Sequence, residues 1–399
     1  MLDIWPALPL IIDARGGYST RGVDNLVAAL KCSDRVCDIT IYINKTLDME
    51  SLLPAMQQPF PELTKLYLCW LPEFDEKEVV PDSFLSGFAP HLETLLLRGI
   101  PFPGLPKLLL SATHLVELNI FTPHSGYFSP DAMVAALATL TSLKYLMLIF
   151  YSPESCPDLE TRRLPPSTRS VLPVLKELRF KGVSEYLEDL LTDIDAPQLN
   201  KLSIQFFHDS VFDTPQLIRF IGRTPMSSAL ENVDIHFLDL DNARVTFRSQ
   251  KEDYFEVIFF CQSLDWLLSS LEQVCSSCLP FLSTLEGLRI LDHISFDSGP
   301  VKDIIENRVL WLELLHPFAA VKNLYLSKEI PLLVGPALQE LVEGRAADVL
   351  PTLENIFLEG LESSGRAQEG IRQFVAERQS ASHPIAISPW TNSDMRYYH

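Results

Sequence analysis

A short apolar motif recurs along almost the whole of this 399-residue chain. Each copy has one apolar residue, two variable residues, a second apolar residue, one variable residue and a third apolar residue. The clearest copies are Leu63-Thr64-Lys65-Leu66-Tyr67-Leu68 and Leu92-Glu93-Thr94-Leu95-Leu96-Leu97. Further copies begin at Leu115, Leu143, Leu175, Leu199, Leu230, Leu285, Val321 and Leu353, with looser ones at Ala7 and Val36. Internal repetition constrains the fold more than length does, because repeat arrays grow by adding units rather than by enlarging one core.

The spacing of the copies indicates which repeat this is. Between Leu63 and Leu353 the copies recur on average about every 29 residues, if the long interval after Leu230 contains one degenerate unit. Leucine-rich repeats have a period of about 20 to 29 residues. The intervals vary, so the sequence predicts irregular leucine-rich repeats at the long end of that range.

Between the motif copies, apolar residues stand three and four positions apart, which predicts short helices. These helices are expected at Val23 to Leu30, Pro130 to Leu140, Tyr186 to Ile194, Pro215 to Ile221, Leu264 to Val274 and Ala337 to Val342. Ser129 and Thr214 each precede a proline and are predicted N-caps. The predicted fold is an α/β leucine-rich-repeat solenoid, a horseshoe with parallel strands on the concave face and helices on the convex face. One array of about 11 to 12 repeats should fill residues 1–399, with 377–399 as C-terminal cap and tail.

Alternation along each strand predicts which side chains line the concave face. An apolar part is formed by Tyr67, Leu96, Phe121, Tyr145, Met147 and Ile149, and a charged part by Arg179, Lys181 and Lys201. Apolar and aromatic anchors bordered by polar groups are typical of a protein-binding surface. Two interpretations stay open at this stage: the face binds a protein target, or connecting loops fold over it and cover it.

Charge and cysteine usage narrow the function further. With 52 acidic against 32 basic residues, the formal charge of −20 opposes nucleic acid and anionic membrane surfaces as partners. No stretch reaches the roughly 20 apolar residues that a membrane-spanning helix requires. Seven scattered cysteines favour free thiols in a reducing compartment, the cytoplasm or the nucleus.

Motifs that would support chemistry are weak. Cys275 and Cys278 form one CxxC pair without the further ligands that zinc requires. The run His208-Asp209-Ser210 has the residue types of a hydrolase triad, but sequence neighbours rarely form such a relay. The acidic run Glu73, Asp75, Glu76 and Glu78 lacks the central glycine of a calcium loop. We therefore expect no catalytic residue, no metal, no cofactor and no enzymatic activity; an enzyme with an unrecognised site is the remote alternative. The polar segment from Ser152 to Ser170 is either a partner contact or an ordinary surface loop.

Three segments carry a resemblance that goes beyond the generic repeat. They are LPKLLLSATHLVELNIFTPHSGYFSPDAMVAALATLTSL at 105–143, LPPSTRSVLPVLKELRFKGVSEYLEDLLTDIDAPQLNKLSI at 164–204, and PFAAVKNLYLSKEI with PALQELVEGR at 317–345. They resemble the leucine-rich-repeat-like region of fungal F-box proteins. The likeness runs from about Trp5 to about Trp390, is most specific in the middle of the chain and is weaker from 235 to 280.

The resemblance implies a substrate receptor of an SCF ubiquitin ligase, in which an N-terminal F-box docks on the Skp adaptor and the repeats capture the target. This sequence departs from that pattern, since a repeat-like strand is expected within ten residues of Met1 and no F-box is present in the chain. Binding of the Skp adaptor is thus expected only if an F-box lies upstream. The predicted function is protein–protein recognition by a monomer, with an unidentified protein target. The alternative is a free-standing scaffolding repeat protein unrelated to ubiquitin.

Overall fold

The computed structural model describes most of the chain, in two compact units. The described residues are 8–16, 20–43, 47, 49–70, 79–152, 169–207, 214–228, 230–239, 241–249, 253–261, 263–277, 282, 284–292, 308–341, 348–360 and 369–391. Unit 1 comprises Met1–Leu202 with Arg219–Thr224, and unit 2 comprises Ser203–Ile218 with Pro225–His399.

Unit 1 contains a parallel sheet whose strands follow one another in chain order. Its strands are β1 (Leu10–Ala14), β2 (Val36–Ile43), β3 (Lys65–Trp70), β4 (Thr94–Arg98), β5 (Glu117–Thr122), β6 (Tyr145–Phe150) and β8 (Glu177–Gly182). Two short strands, β7 (Ser170–Val171) and β9 (Ile194–Asp195), pair separately. The strand β10 (Lys201–Phe206) begins at the end of unit 1 and continues into unit 2. Motif copies from Val36 to Leu199 therefore mark strands, as predicted.

Short helices connect the strands of unit 1. They are α1 (Thr20–Leu30), α2 (Met49–Met56), α3 (Leu105–Leu109), α4 (Pro130–Leu137) and α5 (Ser184–Asp193). Helix α6 (Pro215–Gly222) is divided between the units after Ile218. In two repeats a 3-10 turn is found, at Phe84–Gly87 and His124–Gly126. Neighbouring helices contact each other, α1 with α2, α3 with α4 and α4 with α5. The helices of these neighbouring repeats thus pack side by side, as stacking requires, and α2 contacts the 3-10 turn at Phe84–Gly87.

The motif leucines form the core of unit 1. The second apolar position of successive copies lies in one cross-strand row, and its members are at most 1% exposed: Ile39, Leu66, Leu95, Leu118, Leu146 and Leu178. The third position forms a parallel row that includes Leu68, Leu97 and Leu148. We call the first row the leucine ladder. Each strand buries one side against these neighbours, which explains the sequence period.

Unit 2 combines parallel repeat strands with an antiparallel hairpin. Its strands are β11 (Asn232–Asp239), β12 (Asn242–Arg248), β13 (Tyr254–Phe260), β14 (Gly287–Asp292), β15 (Asn323–Leu326), β16 (Asn355–Glu359) and β17 (Ala386–Trp390). β11 pairs with β14 in parallel, and β14 to β17 continue in parallel order. β12 lies antiparallel to both β11 and β13.

The interval after Leu230 is therefore not one degenerate parallel repeat, and that expectation was wrong. Only residues 240 and 241 separate β11 from β12, and a parallel pair needs a crossover of about a dozen residues or more. A connection this short forces an antiparallel turn. The rest of the predicted parallel arrangement is confirmed.

The helices of unit 2 also stack in chain order. They are α7 (Leu264–Ser277), α8 (Arg308–Leu315), α9 (Ile330–Gln339) and α10 (Glu369–Ser380), with a 3-10 turn at Pro225–Ser228. α7 contacts α8, α8 contacts α9, and α9 contacts α10. The helix expected at Ala337 to Val342 begins earlier, at Ile330, because Pro331 occupies its first turn, where a missing N–H is tolerated.

One predicted helix cap is confirmed and one is wrong. The Ser129 hydroxyl oxygen accepts a hydrogen bond from the Ala132 N–H at 3.2 Å, at the start of α4. The Thr214 hydroxyl is buried and has no hydrogen-bond partner among the described residues, so it does not cap α6. Thr214 is only 2% exposed, and its side chain is used for packing.

Both units thus have the predicted α/β leucine-rich-repeat architecture, strands and helices in alternation around a leucine-lined core. Within the described ranges, no helix has both the length and the apolar character needed to cross a lipid bilayer.

Candidate protein-binding face

The sheet of unit 1 has a second side, opposite the leucine ladder, which we call the strand face. All nine residues predicted to bind a partner lie in unit 1, at strand positions that alternate with buried core residues. None of the nine is buried, and Tyr145 is 42% exposed. The side-chain orientation predicted for them is therefore seen in the structure. Whether they bind a partner is a separate question, which stays a prediction.

One cross-strand row of the strand face joins four of the predicted residues. Tyr67 lies beside Leu96, and Met147 lies beside Arg179, on paired strands. Asn119 stands between Leu96 and Met147 in the same register. Its amide donates a hydrogen bond of 2.6 Å to the Glu117 carboxylate, and only 9% of the residue is exposed. From Tyr67 to Met147 the row is thus apolar except for Asn119, and it ends at the charged Arg179.

A second row runs parallel to the first and is more aromatic and basic. Arg98 lies beside Phe121, Phe121 beside Ile149, and Ile149 beside Lys181. The Arg98 guanidinium carbon is 5.5 Å from the centre of the Phe121 ring, a cation–π distance. The Tyr151 side chain, 44% exposed, forms a hydrogen bond with Arg98. Two predicted anchors, Phe121 and Ile149, are therefore neighbours, and the Arg98 guanidinium packs against the ring of the first.

Arg98 and Tyr151 belong to the face but were not among the predicted site residues. Arg98 follows the last leucine of its motif copy, so alternation alone places it on the strand face. Tyr151 comes directly after β6, where alternation no longer applies. The paired register places Arg98 between Cys69 and Phe121, and its hydrogen bond with Tyr151 brings that side chain to the same part of the face.

Electrostatics keep the phenol and thiol groups of the face uncharged near neutral pH. Partial burial raises the pKa of Tyr67, and the nearby Glu117, Tyr42 and Asp38 raise it further. Burial also raises the pKa of the Cys69 thiol, while Arg98 offsets part of that rise. The first row therefore presents Tyr67 as an aromatic ring with a neutral hydroxyl, which suits an apolar contact with one polar end.

The charged end of the face is a mixture of both signs. Arg179 Nε lies 2.5 Å from a carboxylate oxygen of Glu177, and its side chain is 47% exposed against 17% for Glu177. Tyr145 stands in register between Glu117 and Glu177. Lys181 and Lys201 are half-buried. Arg179 is thus held by an internal carboxylate, and its guanidinium group lies further out than its partner.

The weaker motifs can be placed only in part. Cys275 is buried in α7, and Cys278 lies outside the described residues. The run at 208–210 and the acidic run at 73–78 also lie outside them, as do residues 153–168 of the polar segment. Within the part of the chain that is described, no group of three or more His, Cys, Asp or Glu side chains is placed to hold a metal ion.

Comparison with known proteins shows no family. No protein-family model matches this sequence, and no curated protein matches it significantly. Among solved structures, the leucine-rich-repeat-containing protein LegL7 from Legionella pneumophila is similar over 92% of this chain and 97% of its own. The two share 12% sequence identity with a TM-score of 0.32, a likeness too low to indicate either fold or function.

Proposed function

We propose that this protein is a protein-binding repeat module that holds its partner on the strand face of unit 1. One observation carries the proposal: apolar side chains fill two neighbouring rows of the strand face, turned away from the leucine ladder and left unburied. They are Tyr67, Leu96 and Met147 in the first row, and Phe121 and Ile149 in the second. Apolar surface removed from water contributes about 25 cal/mol per Å². Adjacent apolar side chains on a rigid sheet are therefore a ready anchor for a partner.

The dimensions of the face suit a helix or an extended segment. From β3 to β8 there are four strand spacings of about 4.8 Å, or roughly 19 Å in all. A helix with its side chains is about 10 to 12 Å wide, and six extended residues span about 20 Å. Arg179, Lys181 and Lys201 stand at the β8 end, where they would orient an acidic part of the target. The mechanism is binding alone, with no chemical step.

Photo-crosslinking tests the location of the site. A photoreactive phenylalanine analogue placed at Met147 should give a discrete crosslinked adduct in cell extract. The matched control is the same analogue at Leu110, which is 49% exposed and lies outside the face. Adducts of equal yield and identity at both positions would show that the crosslinks reflect exposure rather than a site.

Affinity for the crosslinked protein then tests the energetics. We expect Phe121→Ala combined with Met147→Ala to weaken binding at least about tenfold, because large anchors at the centre of an interface each contribute more than about 1 kcal/mol. The variant Leu110→Ala should bind like the original protein. An unchanged dissociation constant in the double variant would mean that the strand face is not the site.

The finer proposal is that the repeats are the substrate-binding region of an SCF ubiquitin-ligase receptor. Its support is the resemblance of the segments at 105–143, 164–204 and 317–345 to fungal F-box proteins. We propose a monomer acting in the cytoplasm or nucleus, with an unidentified protein target, no nucleic acid and no membrane as partner. Sequencing the transcript upstream of the Met1 codon tests for an in-frame F-box, and co-purification tests binding to the Skp adaptor. A negative result in both would favour the free-standing scaffold.

A further inference from the structure

Unit 2 has a side opposite its own core, and charged residues are gathered there on four neighbouring strands. Asp234 on β11 lies in register with Thr246 on β12 and with Arg289 on β14. Thr246 in turn lies beside Glu256 on β13. Arg244 and Arg248 flank Thr246 at the alternate positions of β12, so they share this side of the sheet. We call Arg244, Arg248 and Arg289 the arginine patch.

The carboxylates of this cluster lie beneath the guanidinium groups. The Asp234 side chain is 0% exposed and accepts two hydrogen bonds from Arg289, at 2.5 Å from Nε and 2.9 Å from Nη2. Arg248 Nε lies 3.0 Å from the same carboxylate. By contrast, the three arginine side chains are 21% to 41% exposed. The guanidinium groups of the cluster are thus partly exposed to solvent, whereas the Asp234 carboxylate is buried.

Glu256 forms an ion pair with the third arginine, Arg244, without a hydrogen bond to its Nε. Its carboxylate lies 3.2 Å from Arg244 Nε, accepts a hydrogen bond of 2.9 Å from the Ser203 hydroxyl, and is 16% exposed. Three arginines against two carboxylates leave one net positive charge at the arginine patch, in a chain with a formal charge of −20. A further carboxylate on this side of the sheet, Glu359, lies beyond Phe357 on β16, away from the patch. Buried carboxylates that fix guanidinium groups reduce the entropy lost when those groups bind an anion.

Two further observations, both of unused hydrogen-bonding groups, indicate a binding site for a ligand. Each guanidinium carries five N–H donors, and beyond their ion pairs Arg244 and Arg248 have no further hydrogen bond to a described residue. Between them, the Thr246 hydroxyl is 2% exposed and has no hydrogen-bond partner in the described part of the chain. A buried hydroxyl left without a partner destabilises the folded protein, and an anion that accepts its hydrogen bond would remove that cost.

An aromatic shelf continues the same cross-strand row. Tyr325 lies beside Arg289 on paired strands, and Phe357 lies beside Tyr325. The Tyr325 and Phe357 rings are stacked, with centroids 4.4 Å apart and planes at 9°. Trp390 meets Tyr325 edge-on at 5.7 Å, and its indole N–H donates to the Leu326 carbonyl at 3.0 Å. All three rings are half-buried and held in place by these contacts.

We propose that the arginine patch and the aromatic shelf form a second peptide-binding surface, specific for an acidic segment that also carries an apolar side chain. Carboxylates of the ligand bind Arg244 and Arg248, and the apolar side chain packs on Tyr325 and Phe357. From β12 to β16 there are four strand spacings, roughly 19 Å, which about six extended residues would span. Charge complementarity favours an acidic ligand, and the shelf requires an apolar one.

Fluorescence anisotropy with designed peptides tests the proposal on the full chain. Four labelled peptides of equal length are compared, combining aspartate with phenylalanine, asparagine with phenylalanine, aspartate with glycine, and lysine with phenylalanine. At physiological salt, where charges are screened beyond about 8 Å, the first peptide should bind at least about tenfold tighter than each of the others. Equal affinities would overturn the proposal. Displacement by inorganic phosphate as effective as by unlabelled peptide would also overturn it, by indicating a simple anion site.

The location of the peptide site is tested with a variant that keeps the buried ion pair between Asp234 and Arg289. Arg244→Gln combined with Tyr325→Ala leaves Asp234, Arg248 and Arg289 intact and should weaken binding of the first peptide at least about tenfold. The control variant, Phe121→Ala with Met147→Ala, should leave that affinity unchanged. An unchanged affinity in Arg244→Gln with Tyr325→Ala would overturn the second surface. A loss in the control variant alone would place the peptide on unit 1 instead, so the two proposals fail separately.

Discussion

Gly370 in α10 lies directly against the backbone of Gly335 in α9. A β-carbon at position 370 would overlap the carbonyl oxygen of Gly335 and crowd its Cα. Gly370 is buried at this crossing. The two helices therefore approach each other more closely than any side chain would allow, and this contact joins two consecutive repeats of unit 2.

We expect Gly370→Ala to lower the free energy of unfolding by about 1 to 3 kcal/mol, because the helices must move apart to admit the methyl group. Urea denaturation measures the change. The matched control is Gly222→Ala at the end of α6, where a β-carbon meets nothing within 4 Å. The control should change stability by less than about 1 kcal/mol. Equal losses in the two variants would contradict the close approach of α9 and α10.

Two neighbouring leucines of β4 allow the contribution of each side of the unit 1 sheet to stability to be compared. Leu95 belongs to the leucine ladder and is 0% exposed, whereas Leu96 lies half-buried on the strand face. We expect Leu95→Ala to cost about 2 to 5 kcal/mol of unfolding free energy, since it opens a cavity among packed leucines. Leu96→Ala should cost less than about 1.5 kcal/mol, because water or neighbours fill the space. Similar losses, measured by urea denaturation, would mean that Leu96 is also part of a core.

This contrast shows why so much of the fold could be predicted from sequence. In each motif copy the leucines repeat with the strand period, and burial of one side of a strand leaves that period in the sequence. The strands from Val36 to Leu199 were therefore found, and the orientation of Tyr67 and Phe121 followed. The antiparallel strands β12 and β13 were missed because they lack the leucine motif. Their own alternation, in Ala243, Val245 and Phe247 and again in Phe255, Val257 and Phe259, could have revealed them.

Tyr186 is an aromatic core residue with an unsatisfied hydroxyl. Its ring centroid lies 4.8 Å from that of Phe150 and 5.9 Å from that of Phe180. The hydroxyl is buried and has no hydrogen-bond partner among the described residues. We expect Tyr186→Phe to raise the free energy of unfolding by about 1 kcal/mol, because the unpaired polar group is removed while the ring packing is kept. The same change at the exposed Tyr145 should have no measurable effect.

Alkaline pH provides an independent check on Tyr186. Burial raises its pKa well above 10, so the folded protein keeps the phenol neutral where the unfolded chain would ionise it. Its contribution to stability is complete below about pH 10 and is lost as the pH rises further, by roughly 1.4 kcal/mol per unit. The stability difference between Tyr186→Phe and the original protein should widen over that range. A constant difference from about pH 8 to pH 11 would show that the hydroxyl reaches water.

The arginine patch shows what sequence alone could not predict. Asp234 lies on the sheet side away from the core, and alternation along β11 is enough to place it there. Its partners Arg248 and Arg289 come from different strands, 14 and 55 residues further along the chain. Arg248 meets it because the hairpin places β12 beside β11, and Arg289 meets it because β14 pairs with the other edge of β11. Ion pairs between strands depend on the order of the strands in the sheet. The local sequence pattern does not predict that order when one strand reverses direction.

The Asp234–Arg289 pair leads to the last prediction. Arg289→Gln leaves a fully buried carboxylate with only Arg248 beside it, and we expect a loss of about 3 to 5 kcal/mol in the free energy of unfolding. Asp234→Asn combined with Arg289→Gln keeps the shape without the charges and should recover most of that loss. A double variant as unstable as Arg289→Gln would mean that side-chain packing, rather than charge, dominates the site.

The pH dependence of the Arg289→Gln variant separates charge from packing. Burial raises the pKa of Asp234, and Arg289 and then Arg248 offset part of that rise. Removing Arg289 raises the pKa further, so the folded variant binds its proton more readily than the unfolded chain does. A carboxyl of this kind favours folding below its unfolded pKa of about 3.9, and that contribution is lost as the pH rises through the folded value. The destabilisation caused by Arg289→Gln should therefore be smaller at about pH 4 than at pH 8, whereas a cavity or packing defect would cost the same at both.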